Sequence, residues 1–160
     1  MNEELIELIK NAYIAQDKAY APYSKFHVGA SILIKNESNN IVNYINGCNV
    51  ENASYGGAIC AERTAFVKAV SEGYKTNFTQ IAVVGGENPE AFISPCGICR
   101  QFMREFVIPK DLQIVMSRAR TTDEKKSLNF DYIKEYQLNK DYIVKTLEEL
   151  LPLSFGPDDL

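Results

Sequence analysis

The chain contains 160 residues, of which 46% are hydrophobic, and carries a formal net charge of -4 at pH 7. This length and composition predict one globular domain, spanning residues 1–160, that buries its own hydrophobic core. The acidic balance argues against a nucleic acid partner, which requires a basic surface, and no apolar run is long enough to predict a membrane span.

Helices and strands alternate along the chain. Hydrophobic periodicity and turn residues predict a helix at 3–20, strands at 27–35 and 41–47 joined by a polar turn at 36–40, a helix at 61–72, a strand at 80–85, a helix opening after residue 95 and a strand at 112–117. A hairpin followed by βαβ units predicts an α/β fold in which a mixed sheet lies between helices on both faces.

The C-terminal part of the chain has a weaker pattern. Residues 121–127 are predicted to form a solvated loop because of their polar composition. Apolar residues between 130 and 136 are expected to anchor the segment through an added strand or a short helix. Residues 141–144 are predicted to form an edge strand, followed by a capped helical turn at 146–151.

Three cysteines and one glutamate form the most informative pattern in the sequence. Cys60 and Glu62 occur in the sequence CAE, and Cys96 and Cys99 occur in the sequence PCGIC. Three thiolates can hold a zinc ion and leave its fourth position for water, as catalytic zinc sites do. Glu62 is not needed as a ligand and is available to move protons. The pattern predicts a hydrolytic zinc site.

Helix geometry restricts where the first of these cysteines can lie. In a regular helix, Cys60 and Glu62 would point roughly 200° apart, since each residue turns by about 100°. Both can face one metal ion only if Cys60 lies at or just before the helix start. Cys96 and Cys99 are likewise expected on one face at the opening of the next helix.

The net charge of such a metal centre affects how strongly it acidifies a bound water molecule. Zinc bound by three thiolates carries a net charge of about minus one, which makes it a weaker acidifier of water than zinc bound by neutral histidines. Two helix N-termini aimed at the sulfurs would partly offset that charge and favour the thiolate form. Arg63 and Arg100, each beside a ligand cysteine, are expected to donate hydrogen bonds to sulfur.

Other assignments of the cysteines remain open. A C-x-x-C pair is also typical of redox sites, and Cys48 would either complete a closed structural zinc site or serve as a small apolar residue at its strand end. A disulfide framework is not expected, because the chain is long enough to bury its own core. Reduced cysteines and an acidic N-terminus unlike a signal peptide predict a cytoplasmic location.

Longer motifs resemble those of the short-chain, homotetrameric cytidine deaminases. In chain order they are YAPYSKFHVGA at 20–30, GCNVEN at 47–52, CAERTA at 60–65, SPCGICRQ at 94–101 and LLPLSFGP at 150–157. The C-x-E and P-C-x-x-C core alone would indicate only the wider zinc-deaminase superfamily. The resemblance implies a three-layer α/β/α sandwich whose mixed sheet has about five strands, with a surface insertion at 119–140.

The resemblance also implies a reaction and a cofactor. The reaction is the hydrolytic deamination of cytidine and 2′-deoxycytidine to uridine and 2′-deoxyuridine with release of ammonia, as in pyrimidine salvage. One zinc ion per subunit, held by Cys60, Cys96 and Cys99, would lower the pKa of a water molecule. Glu62 would take the proton of this water, deliver it to N3 of the pyrimidine and later help to protonate the departing ammonia.

Four further residues match the family's nucleoside-binding positions. Asn49 and Glu51 match the pair that binds the ribose 3′-hydroxyl, a group that both donates and accepts hydrogen bonds. Phe26 matches the aromatic residue that packs beside the base. Ala61 matches the residue whose backbone contacts the pyrimidine edge.

The family's assembly is also implied. Tyr55 and Phe155 match aromatic residues that reach the site of a neighbouring subunit, so the resemblance implies a homotetramer whose sites are completed by neighbours. A site closed in this way excludes water only when it is assembled.

Three other functions remain open. The first is a related deaminase that acts on a cytosine-bearing antibiotic such as blasticidin S. The second is a polynucleotide cytosine deaminase, against which the acidic charge and the lack of an aromatic–basic stretch count. The third is a zinc-stabilised module without enzymatic activity.

Overall fold

The computed structural model describes residues 1–36, 41–127 and 129–160. Its helices and strands, in chain order, are α1 Glu3–Gln16, β1 Val28–Asn36, β2 Ile41–Cys48, α2 Ala61–Ser71, β3 Phe78–Gly85, α3 Gly97–Arg104, β4 Gln113–Ser117, α4 Thr122–Lys126, β5 Tyr142–Thr146 and α5 Leu147–Leu150. Short 3-10 turns occur at Tyr55–Gly57, Asp131–Glu135 and Pro157–Asp159. The predicted polar turn at 36–40 falls, apart from its first residue, outside the described residues.

The strands of the described residues form one mixed sheet with the order β2-β1-β3-β4-β5. Strand β1 pairs antiparallel with both β2 and β3. Strands β3 and β4 are parallel, with α3 as the crossover between them, and β5 lies antiparallel to β4 at the sheet edge. The predictions of a mixed sheet of about five strands and of an edge strand after residue 140 are confirmed.

Helices cover both faces of this sheet. Adjacent residues of β1 point to opposite faces, as the two-residue period of a strand requires. Leu33 packs in the core beneath α1 together with Tyr13, whereas Ile32 packs with Phe66 of α2 and Met103 of α3 on the other face. These two cores confirm the three-layer α/β/α sandwich.

The segment after α1 leads the chain to the edge of a cavity. The helix ends at Gln16, before its predicted end at Tyr20. Tyr20 is instead held beside Val50, since its amide donates to the Asn49 carbonyl at 3.0 Å and its carbonyl accepts from Glu51 at 2.8 Å. This backbone pairing is incompatible with a continued helix. It joins the loop before β1 to the segment after β2, and both lie at the first residues of β1.

Residues 121–127 correct one prediction. They contain the short helix α4 rather than a solvated loop. The Thr121 side chain accepts from the Glu124 amide at 3.3 Å, and the Glu124 carboxylate accepts from the Thr121 amide at 2.7 Å. This reciprocal capping box satisfies two backbone donors at the helix start, which outweighs the polar composition.

The segment around residues 119–140 is attached to the sheet by partly buried polar contacts. The Arg118 guanidinium donates to the carboxylates of Glu124 and Asp141, each at 2.8 Å, and Ile133 is fully buried beside α1. Whether this segment is an insertion in a single domain of 160 residues stays a prediction. None of the helices in the described part of the chain has the length and apolar character needed to cross a membrane.

Candidate metal centre and adjoining cavity

Two helix starts bring three cysteines together. Cys60 is the N-cap residue of α2 and Cys96 is the N-cap residue of α3, both with extended backbone angles (φ -71°, ψ 155° and φ -67°, ψ 166°). Cys99 lies in the first turn of α3 and is fully buried. The prediction that Cys60 precedes the regular turns of its helix is confirmed, and this position lets Cys60 face the same point as Cys96.

The spacing of the sulfur atoms suits one tetrahedral ion. The Cys96 sulfur lies 3.9 Å from that of Cys60 and 3.5 Å from that of Cys99, and all three lie within 4.8 Å of one another. A tetrahedral zinc ion with bonds of about 2.3 Å holds its thiolates about 3.8 Å apart. The three cysteines can therefore hold a metal ion with little rearrangement.

Cys48 does not join this cluster. Its thiol, at the end of β2, donates to the carbonyl of Lys18 at 3.5 Å. In the described part of the chain, the group of residues able to hold a metal ion is Cys60, Cys96 and Cys99. The structure therefore does not support the alternative in which Cys48 closes a four-cysteine structural site.

Hydrogen bonds within the cluster favour a thiolate. A hydrogen bond from the Cys99 thiol lowers the pKa of Cys60 to about 5, and the Arg63 guanidinium also lowers it. The same hydrogen bond and burial raise the pKa of Cys99. The thiolate is the metal-binding form of cysteine, and thiolates are soft ligands suited to zinc. The donor set fits a zinc ion.

The two arginines beside the cluster behave differently. The Arg63 guanidinium donates to the Ala58 carbonyl at 3.3 Å and lies 3.9 Å from the Cys60 sulfur, as the sequence predicts. Arg100 instead turns away from the sulfur atoms. Its guanidinium donates to the carbonyls of Pro95 and Leu150, each at 2.7 Å, and to the Ser94 hydroxyl at 3.0 Å. The prediction that Arg100 donates to a sulfur is wrong, because backbone carbonyls take its donors.

Glu62 is a buried carboxyl group beside the cluster. It lies in the first turn of α2, and only 4% of its surface is exposed. Burial raises the pKa of this carboxyl above its ordinary value. A carboxyl group whose pKa is shifted toward neutrality can accept a proton and later return it.

The cluster opens into a cavity of about 600 Å³. Its walls come from the loop before β1, the segment after β2, the start of α2 and the loop before α3. The lining residues are Ser24, Phe26, Val28, Asn49, Glu51, Cys60, Ala61, Glu62, Ile93, Ser94 and Cys96. The cavity wall thus brings Cys60, Glu62 and Cys96 together with four of the predicted nucleoside-binding residues, and it adds lining residues that the sequence analysis did not single out. The buried Cys99 belongs to the cluster but not to this wall.

Asn49 and Glu51 already hold the loop before β1. The Asn49 amide accepts from the Val28 backbone at 2.8 Å and donates to the Phe26 carbonyl at 2.9 Å. The Glu51 carboxylate accepts hydrogen bonds from the Ser24 hydroxyl and, at 2.9 Å, from the Tyr23 amide. These hydrogen bonds lower the pKa of the Glu51 carboxyl. Each side chain keeps hydrogen-bonding capacity for a ligand.

Ser24 and Val28 lie in the motif YAPYSKFHVGA, Ser94 lies in the motif SPCGICRQ, and Ile93 directly precedes it. Their place in the cavity wall was therefore signalled only by their position in or beside recognised motifs.

Tyr55 and Phe155 do not line this cavity. The Tyr55 side chain is 78% exposed, and its ring lies 6.1 Å from that of Tyr23 beside a second cavity of about 360 Å³. Phe155 is 61% exposed. Within one chain, neither ring completes the site, so their predicted contribution to a neighbouring subunit stays a prediction.

Sequence comparison identifies the family. Residues 2–116 match the family described as the cytidine and deoxycytidylate deaminase zinc-binding region. The chain belongs to this family. The match includes the three clustered cysteines and Glu62, and all residues that line the cavity described above lie within it.

Relatives and solved structures extend the similarity over most of the deaminase chain. It is 39% identical over 153 residues to the cytidine deaminase of Halalkalibacterium halodurans, covering 96% of this chain and 95% of that one. It is 46% identical over 100 residues to the cytidine deaminase of Sporosarcina psychrophila, covering 62% and 68%. The crystal structure of cytidine deaminase from Burkholderia pseudomallei superposes with a TM-score of 0.71 at 39% identity, covering 97% and 100%.

Proposed function

We propose that this chain catalyses the zinc-dependent hydrolytic deamination of cytidine and 2′-deoxycytidine to uridine and 2′-deoxyuridine, releasing ammonia. The observation that carries this proposal is one cavity that holds both a buried acid–base group, Glu62, and two sulfur atoms of a zinc-compatible cluster, those of Cys60 and Cys96. A metal centre beside an open cavity suits catalysis better than a purely structural role. The cytidine deaminases among its relatives support the choice of substrate.

Zinc is the ion that this donor set suits. Cys60, Cys96 and Cys99 would hold it, and Cys96, an exposed residue, lines the cavity. The bound ion supplies a Lewis acid that lowers the pKa of a water molecule. Two helix N-termini stabilise the negative charge that three thiolates bring to this point.

Glu62 is the proposed proton carrier. It accepts a proton from the attacking water and delivers it to N3 of the cytosine ring. As the oxygen of that water bonds to C4, the bond from C4 to the amino nitrogen weakens. Glu62 then takes the remaining proton from the new C4 hydroxyl and passes it to this nitrogen, so that the bond from C4 to nitrogen breaks as the C4 carbonyl forms and ammonia leaves. Its burial, which raises the pKa of the carboxyl, suits a group that must act as base and then as acid.

The cavity wall around Glu62 is proposed to bind the nucleoside. Phe26 offers an aromatic face beside the base, and the backbone of Ala61 at the start of α2 offers polar groups to the pyrimidine edge. Asn49 retains one amide hydrogen, and Glu51 retains a lone pair on Oε1, for the ribose 3′-hydroxyl. Because their side chains also hold the loop before β1, we expect substitutions at either position to disturb that loop as well.

The proposal includes assembly into a homotetramer. Large exposed apolar side chains lie at the second cavity and on the chain segments next to it, and exposed apolar patches mark interaction surfaces. The exposed residues are Tyr20, Tyr23, Val50, Tyr55 and Ile59. In this assembly Tyr55 and Phe155 would complete the site of a neighbouring subunit, and each subunit would hold one zinc ion. The enzyme would act in pyrimidine salvage in the cytoplasm.

One assay tests the reaction. Ammonia release is measured with cytidine, 2′-deoxycytidine, blasticidin S and single-stranded DNA, alongside the zinc content of the same protein. We expect release from both nucleosides by protein that holds one zinc ion per chain. Turnover of blasticidin S alone would replace the proposed substrate, and deamination of DNA would favour a polynucleotide substrate. If zinc-loaded protein released no ammonia from any of these substrates, the zinc would have only a structural role.

The assembly is tested separately by sedimentation across a concentration series with parallel rate measurements. Activity is expected to fall as the tetramer dissociates. A fully active monomer would contradict the proposed completion of each site by a neighbour.

A further inference from the structure

Helix α3 has two functional faces. Its inner face carries Cys99 and Met103, both fully buried. Its outer face carries Gln101 and Arg104, which lie roughly 60° apart around the helix when each residue turns by about 100°. The helix that supplies the third sulfur therefore also presents two long hydrogen-bonding side chains to the C-terminal segment of the chain.

The outer face of α3 holds this C-terminal segment. The Arg104 guanidinium donates to the Ser154 hydroxyl at 3.2 Å and to the Asp158 carboxylate at 2.9 Å. The Gln101 amide donates to the Phe155 carbonyl at 3.0 Å. The backbone of Phe155 is thus held by Gln101, and residues 154 and 158 on either side of it are held by Arg104. Phe155 itself stays 61% exposed.

Gly156 makes the contact with Arg104 close. A Cβ atom at this position would lie only 2.3 Å from Cζ of Arg104. The backbone of Gly156 is extended, with φ -159°, so any residue could adopt it and only the space beside the guanidinium excludes a side chain. Arg104, at 8% exposure, is buried beneath the segment rather than placed on the surface.

We propose that Arg104 is a positioning residue for Phe155. This inference rests on the proposed function, in which Phe155 completes the nucleoside cavity of a second copy of the chain. An exposed ring on a loose segment would lose conformational freedom each time it closed that cavity, whereas a ring on an anchored backbone is already ordered. Arg104 therefore strengthens substrate binding without touching substrate, zinc or Glu62.

Two substitutions remove the anchor by independent routes. Arg104→Met keeps an unbranched buried side chain but deletes the donors, and Gly156→Ala displaces the guanidinium by its added methyl group. We expect each to raise the KM for cytidine about fivefold or more, with kcat and zinc content little changed. Glu105→Gln, an exposed change at the end of the same helix, is the control and should leave KM unchanged.

A double-variant cycle separates positioning from general destabilisation. If Arg104 acts through Phe155, then Arg104→Met added to Phe155→Ala should raise KM no further than Phe155→Ala alone, because coupled residues are not additive. Fold-changes in KM that multiply in the double variant would overturn the proposal, since Arg104 would then act independently of the ring.

A second measurement needs no substrate. Backbone amide hydrogen exchange in residues 153–159 of the zinc-loaded protein should accelerate in Arg104→Met and not in Glu105→Gln. Unchanged exchange would overturn the anchoring on which the proposal depends. If the unsubstituted protein released no ammonia from cytidine, the proposed function would fail, and the exchange measurement would still decide whether Arg104 holds the segment.

Discussion

The guanidinium of Arg63 lies 3.9 Å from the sulfur of Cys60, and both residues belong to the first turn of one helix and its cap. A positive charge at this distance favours the thiolate, and it offsets part of the negative charge that three thiolates would bring to a divalent ion. Arg63 also donates to the Ala58 carbonyl at 3.3 Å, which fixes the guanidinium beside the cluster. The contact links the charge of the metal centre to a single side chain.

Replacing Arg63 should weaken the metal centre. In Arg63→Ala, the Cys60 thiolate loses its cationic partner, so we expect faster release of zinc to a chromogenic chelator and a lower kcat. Lys68→Ala, an exposed change on the same helix, is the matched control. Zinc release and kcat equal to those of the unsubstituted protein would remove Arg63 from any role at the centre.

Glu62 can be tested without disturbing the metal ligands. Glu62→Gln preserves the shape of the buried side chain but cannot accept a proton, so kcat should fall by about 10²–10⁴-fold while the zinc content per chain stays constant. Glu72→Gln, at the other end of α2, should change neither quantity. Rapid turnover by a zinc-loaded Gln variant would show that another group moves the protons.

The composition of the metal centre gives a spectroscopic prediction. Removal of zinc by a chelator should abolish ammonia release, and added zinc should restore it. The cobalt-substituted protein should show the absorption of a tetrahedral ion bound by three thiolates. The Cys48 thiol donates a hydrogen bond to the Lys18 carbonyl and is not part of the cluster. Cys48→Ser should therefore leave that spectrum unchanged, whereas Cys96→Ser should alter it. A four-sulfur spectrum that changes in Cys48→Ser would contradict this assignment.

Much of the fold and of the metal centre could be predicted because the signals are local. Consecutive residues of a strand or a helix show a hydrophobic period of two or 3.6 residues, respectively. The C-x-E spacing likewise requires Cys60 to precede its helix. The capping box from Thr121 to Glu124 is an equally local signal, but the polar composition of the segment concealed it.

Contacts between distant parts of the sequence could not be predicted in the same way. Arg100 donates to the carbonyl of Leu150, and Arg104 contacts a segment some fifty positions later in the chain. Such partners depend on how the C-terminal segment lies across α3, which no short sequence pattern specifies. For the same reason the outer face of α3 emerges only from the structure.

Acid stability depends on the partly buried carboxylate of Glu124. Burial raises the pKa of this group, but hydrogen bonds from Arg118 and the Thr121 backbone lower it by more, so the folded pKa lies below its ordinary value. A carboxylate with a depressed folded pKa stabilises the fold above its unfolded pKa of about 4.3. That contribution is lost as the pH falls through the lower folded pKa.

Glu124→Gln should therefore destabilise the protein in a pH-dependent way. At pH 7 we expect a loss of about 1–3 kcal/mol in the free energy of unfolding, because the substitution removes one of the two carboxylates, those of Glu124 and Asp141, that pair with the half-buried Arg118 guanidinium. The difference from the unsubstituted protein should shrink as the pH falls below about 4. Urea unfolding at both pH values measures it, with the exposed change Glu135→Gln as control. A difference that stays constant with pH would mean that lost packing, and not the charge of Glu124, accounts for the effect.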